Sequence, residues 1–214
     1  MKIAGMKKIV FKLSKLIPIH KLLVWLIKQD KISKCYDSVT TEGDVTFHEE
    51  AVVDNLQKDK NKILVNSGSN IRGMLLVFGY GGKIEIGKNC YIGENSKIWS
   101  GEHIVIGDNV LISHGVNVMD TNAHEIDHKL RADGYIGSLK YGTEYLKGRV
   151  ETKSIFIDDD VWVGFNSIIM KGVSIGKGAI IASGSVVTKN VDAFTMVGGN
   201  PSRVLKDLNS TNNI

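Results

Sequence analysis

Six histidines are the side chains of this 214-residue chain best suited to acid–base chemistry, and one stands apart by its surroundings. His124 opens a stretch dense in ionisable groups, HEIDHKLR through Arg131, with Asp120 and Asn122 just before it. A neutral imidazole near its ordinary pKa can accept a proton at pH 7, which suits the activation of a weak nucleophile such as a hydroxyl. Asp120 and Asn122 are candidates to orient that ring or to hold acceptor hydroxyls, an ordinary turn role being the alternative. His114 and His128 do not combine with His124 into a recognisable three-histidine zinc pattern, so no metal is expected. Neither Cys35 nor Cys90 lies in a motif for an activated thiol, and no serine nucleophile motif is present; transfer without a covalent enzyme intermediate is therefore expected.

Something rigid must hold His124. From Ile157 to Asp192 the chain reads in sixes, IDDDVW, VGFNSI, IMKGVS, IGKGAI, IASGSV and VTKNVD. The first position is always Ile or Val and the fifth is small or β-branched, a period that belongs to neither a helix nor a long strand. Each unit is a three-residue strand plus a turn, with side chains alternating inward and outward. If three units close one coil, residues eighteen apart stack. Trp162 and Ile180 then share one outer face, Ile168 and Val186 a second, and Ser174 and Asp192 a wet third. Two apolar outer stripes on a slender prism imply burial against copies of itself, most simply in a cyclic trimer. Regular units also run from Ile86 and from Ile106, with two extra residues expected to bulge within residues 99–103. Val45 to Gly82 reads as irregular. Between Val118 and Ile155 the pattern breaks into a long, Tyr-rich excursion, read as an ordered substrate loop over 119–154.

The period and residue types resemble the hexapeptide-repeat acyltransferases, a resemblance that implies a mainly β, left-handed parallel β-helix. HEIDHKLR resembles the catalytic-loop start of the maltose and galactoside acetyltransferases of that superfamily at His124, His128, Leu130 and Arg131, and departs from it at Glu125, where the family often has Pro. The resemblance implies His124 as the general base and Arg131 beside a sugar acceptor, where Asp120 and Asn122 remain candidates by their position alone. It also implies acetyl-CoA as co-substrate. By motif position Trp162, Gly164, Phe165, Ser183, Thr188, Lys189, Arg203 and Lys206 fall where the family lines the cofactor. Phe165 replaces a smaller polar residue, and Lys189, Arg203 and Lys206 are suited to phosphates. O-acetylation of a sugar in surface polysaccharide assembly is the expected function. Amino-sugar N-acetylation is the alternative, and a metal enzyme or an inert scaffold stands further off.

Residues 1–36 carry nine lysines and a single acidic residue, Asp30. Their apolar runs fall short of the roughly 20 residues that span a bilayer, and interrupting lysines argue against a signal peptide. Two amphipathic helices meeting near Pro18 are expected, either packed on the prism or, through residues 1–30, lying on an anionic membrane face. The expected organisation is a basic arm over 1–40, a β-helix over 41–200, and a C-terminal helix and tail over 201–214, with Asn200 and Pro201 starting that helix. The net charge of +4 comes without a nucleic-acid motif, so no nucleic acid is expected as a partner. Cys90, at an inward repeat position, reads as core, and the compartment as reducing and cytoplasmic.

Overall fold

The computed structural model describes residues 19–209. Strands of two to five residues stack into three parallel sheets, the faces of a triangular prism. The first face runs through 40–42, 63–66, 84–86, 104–106, 155–157 and 174–175. The second comprises 46–47, 70–71, 91–92, 111–112, 162–163, 180–181, 195–198 and 203–207, and the third 52–55, 74–77, 97–100, 117–119, 168–169 and 186–187. The eighteen-residue stacking holds for Trp162 with Ile180, Ile168 with Val186 and Phe156 with Ser174. Ser174 does not stack on Asp192, because the step shortens to sixteen in the last coil, where Ile175 bridges Val191 and Ile180 pairs with Met196. Phe156 adds an apolar residue, 47% exposed, to the face expected to be wet.

Inward Ile and Val residues make one continuous core, with Ile84, Ile104 and Ile155 wholly buried one above another. The repeat's fifth residue is small because it sits inside a corner. Where it is serine, its hydroxyl answers a backbone carbonyl that would otherwise be buried unpaired: Ser167 donates to Ala182 at 3.0 Å, and in the equivalent place Ser96 donates to Ser113 at 2.6 Å. Cys90 is buried in this core as expected.

The β-helix begins earlier than its periodicity announced. Ile63 pairs with Ile84 and Ile71 with Ile92, so the segment read as irregular already forms coils. Their steps exceed eighteen because turns are inserted, among them Lys60–Lys62, a 3-10 turn capped by the Asp59 carboxylate. The extra residues near 99–103 are a longer strand to Ser100 and a bend at Gly101 and Glu102.

One expectation at the termini changes. In place of a C-terminal helix, Arg203–Asp207 returns antiparallel along Thr195–Gly198, with Asn200–Pro201, a cis peptide, in the turn between them. The last coil leaves an open sheet edge whose backbone groups a strand can satisfy and a helix cannot. At the other end one helix, α1, spans Ile19–Asp37. Its C-terminal half docks on the first coils: Cys35 is buried, Tyr36 donates to the Val45 carbonyl at 2.7 Å, and Lys31 donates to the Glu49 carbonyl at 2.8 Å. The other expected helix lies outside the described residues.

Candidate active site

The excursion leaves the third face after Met119 and re-enters the first at Ile155, while the strands below and above it stay in register, Ile104 opposite Ile155 and Ile106 opposite Ile157. Its base is zipped shut. Thr121 and Thr152 form an antiparallel bridge, Asn122 N donates to the Glu151 carbonyl at 2.9 Å, and Lys153 N donates to the Asp120 carbonyl at 2.8 Å. His124 follows this zipper by two residues. Its imidazole is exposed and makes no hydrogen bond among the described residues, so it is free to meet a ligand.

Asp120, at the start of the zipper four residues before His124, is wholly buried. One carboxylate oxygen accepts from Gly101 N at 2.6 Å, and the other from Ser100 Oγ at 2.7 Å and Glu102 N at 3.2 Å. Burial pushes this carboxyl above the ordinary aspartate range against the pull of those hydrogen bonds. A group so enclosed offers no surface to an acceptor, so the expected acceptor contact is replaced by a supporting one: Asp120 fastens the corner from which His124 projects. Tyr80 adds a second fastening, its hydroxyl 3.0 Å from Thr121 Oγ1, and burial pushes its pKa up to about 12.

Beyond His124 the excursion is ordered by its own contacts. Asp127 caps a helix, α2 (His128–Tyr141), by accepting from Lys129 N and Leu130 N, both at 2.9 Å. Glu125 is buried against Gly134, and its charge is answered by Arg149 Nε, 3.0 Å from Oε1. Arg149 also reaches Asp133 at 3.0 Å and lies over the Tyr145 ring, 4.7 Å from its centroid. Arg131 turns back, donating to the Glu125 carbonyl at 3.1 Å and the Ile126 carbonyl at 2.8 Å. The departure from Pro at Glu125 thus has a use here, as a buried anchor for α2.

The eight residues matched to the cofactor end divide by place. Thr188 and Lys189 are exposed at the third-to-first corner, the corner that also carries His124. Phe165 and Ser183 lie at the second-to-third corner. There the Phe165 ring sits 5.8 Å from His114, and Trp162, on the adjoining face, donates from Nε1 to Ser113 Oγ at 3.2 Å. Gly164 is buried. A Cβ on it would stand 2.7 Å from Ser183 N, so this glycine serves close stacking of the coils. Arg203 and Lys206 lie apart, on the returning strand.

Several participants escaped the sequence reading. Lys171 Nζ and Asn122 Nδ2 both meet Glu151 Oε2 at 3.3 Å, which ties the excursion's base to the next coil. The eighteen-residue rule could have found Lys171, since it stands one coil before Lys189. Glu125 and Arg149 carried no such signal. Among the described residues no three His, Cys, Asp or Glu side chains are grouped to hold a metal ion.

A family model described as bacterial transferase hexapeptide (six repeats) matches residues 154–189, and one described as the hexapeptide repeat of succinyl-transferase matches 83–119. The chain is 35% identical over 132 residues to the galactoside O-acetyltransferase of Escherichia coli (strain K12), covering 62% of this chain and 58% of that protein. It is 47% identical over 64 residues to a 2,3,4,5-tetrahydropyridine-2,6-dicarboxylate N-acetyltransferase of Staphylococcus aureus (strain bovine RF122 / ET3-1), covering 28% of this chain and 27% of that protein. The chain thus spans less than two thirds of either curated relative. A hexapeptide-repeat acetyltransferase structure from Vibrio cholerae is 31% identical, with 67% of this chain and 72% of that chain covered at a TM-score of 0.54. The Vibrio protein has also been solved in complex with acetyl coenzyme A.

Proposed function

The chain belongs to the hexapeptide-repeat acyltransferase superfamily of left-handed parallel β-helices, and from that premise we propose that it transfers an acetyl group from acetyl-CoA to a sugar hydroxyl, with His124 as the general base. The observation that carries this reading is the placement of His124: exposed, unbonded, and held just past a backbone zipper, on the corner it shares with Thr188 and Lys189.

The co-substrate supplies an activated thioester with a good leaving group. The imidazole accepts the acceptor's hydroxyl proton as the oxygen attacks, and can return it to the departing sulfur. Holding the ring on a zipped base supplies orientation. The exposed surface fits a long, partly apolar, anionic ligand. Phe165, Trp162 and Ile168 offer apolar contact, while Lys189 forms no ion pair among the described residues and is available to a phosphate. The corners carrying Lys189 and Phe165 lie on opposite edges of the third face. A second copy packed on these stripes would close the site, and Leu111 and Trp162, each 43% exposed, give such an interface apolar area. A homotrimer is the assembly this reading requires.

A sugar hydroxyl is favoured by the galactoside relative, and surface polysaccharide is the setting we assign. The Staphylococcus relative is named an N-acetyltransferase, so an amino-sugar nitrogen is the second reading. The test is thiol release from acetyl-CoA over a panel of sugars and amino sugars, with wild-type and His124→Ala protein. A sugar should support turnover that the variant lowers by about two to four orders of magnitude, with oligomeric state and acetyl-CoA binding retained. Near-normal turnover by the variant rejects His124 as the base, and turnover on amino sugars alone rejects O-acetylation.

A further inference from the structure

The N-terminal half of α1 has no partner on the prism. Ile19, Leu22, Leu23, Leu26 and Ile27 recur at the spacing that puts them on one helix face, and they are 51%, 43%, 53%, 47% and 67% exposed. The other side of the helix is the one that engages the coils. Down that side come Lys28, ion-paired with Glu49, then Lys31 on the Glu49 and Glu50 carbonyls, Ile32 against the core and buried Cys35. The apolar stripe therefore faces away from the body of its own chain.

We propose that this stripe docks on an anionic lipid bilayer, with α1 lying in the interface. Charge selects that occupant. From residue 1 to 29 the sequence holds seven lysines and no acidic residue, five of those lysines preceding Ile19. Copies packed stripe to stripe would bring like charges together, whereas an anionic surface neutralises them. No described helix is long and apolar enough to cross a membrane, so the helix lies on the surface and does not span it. The 55% exposed Trp25 stands at the edge of the stripe, one turn from Leu22, where an indole meets lipid headgroups. The far half of α1, clamped to the first coils, carries the enzyme to the membrane and presents it to lipid-linked or membrane-proximal acceptors. The docking itself does not depend on which acceptor is used.

The test is co-flotation of the full-length protein with phosphatidylcholine vesicles, with and without phosphatidylglycerol. The wild type should float with the anionic vesicles, release at high salt and bind neutral vesicles weakly. The double variant Leu22→Glu, Leu26→Glu alters only exposed positions, and it should keep its oligomeric state and acetyl-CoA binding. Its partitioning should fall by about 100-fold or more, since two leucines no longer enter the interface. Emission from Trp25, isolated by difference against Trp25→Phe, should shift to the blue on anionic vesicles. Failure of the wild type to float overturns the proposal, as does equal flotation of the double variant. Dissociation of the oligomer by the double variant also overturns it, because the stripe would then be buried between copies.

Discussion

Asp120→Ala separates two roles that the sequence left open. The substitution strands the Ser100 hydroxyl and the Gly101 N–H in a buried corner and takes the acceptor from the part-buried Glu102 N–H. An unpaired buried donor costs about 1–3 kcal/mol. The hydroxyl can rotate toward another acceptor, and removing a carboxylate that burial already disfavours returns part of the loss. A net destabilisation of about 3 kcal/mol is the expected balance. Asp120→Asn should fall between, because its carbonyl still accepts from Gly101 while its amide donates to Ser100, leaving Glu102 N facing a donor. The assay is the denaturant midpoint at fixed protein concentration, paired with kcat and the acceptor KM at a temperature where all three proteins are folded. The order wild type, Asn, Ala should appear in the midpoints, and kcat should fall with them as the corner under His124 loosens. An alanine variant within about 0.5 kcal/mol of wild type, with only the acceptor KM raised, would refute the supporting role.

Other outcomes follow from the same geometry. Lys189→Ala should raise the KM for acetyl-CoA about tenfold with little change in kcat, checked by varying acetyl-CoA at saturating acceptor; an unchanged KM removes the phosphate contact. Arg149→Ala leaves the Glu125 carboxylate buried without its cation, so limited proteolysis should cut within 124–149 sooner and kcat should drop by about an order of magnitude, while acetyl-CoA binding persists. Tyr80 gives a pH signature. Its folded pKa of about 12 lies above the ordinary 10.0, so it adds stability that is fully present below pH 10 and lost as pH rises toward 12. Tyr80→Phe should flatten that alkaline loss in a midpoint-versus-pH series.

The sequence disclosed most where one residue type served one geometric purpose. The sixes from Ile157 to Val187 made strand, corner and stacking legible together, because every inward position faces the same narrow prism, whereas the step of sixteen in the last coil was not legible. The early coils were hidden because inserted turns lengthen their steps, although Ile63, Ile71 and Leu75 point inward all the same. His124 was legible because it sits where a strict period stops. Asp120, one strand end away, was legible as polar but not as buried: its burial depends on Ser100 and Gly101 from the preceding coil. Glu125 and Arg149 were invisible as a pair, since they meet only after α2 folds back between them. At the C-terminus Asn200–Pro201 fits a helix start and a strand-to-strand turn equally well, and the open sheet edge, which decides between them, is a tertiary feature.

The coils on either side of the excursion meet as though it were not there, and its base is bolted ahead of His124. Lengthening such an insert adds only a slowly growing entropic penalty, so the part that faces the acceptor can be rebuilt without disturbing the part that stacks. A chimera exchanging residues 124–149 for the corresponding stretch of a relative should inherit that relative's acceptor and keep its own thioester donor. On the proposed function, substrate choice is an interchangeable cassette on a fixed chassis.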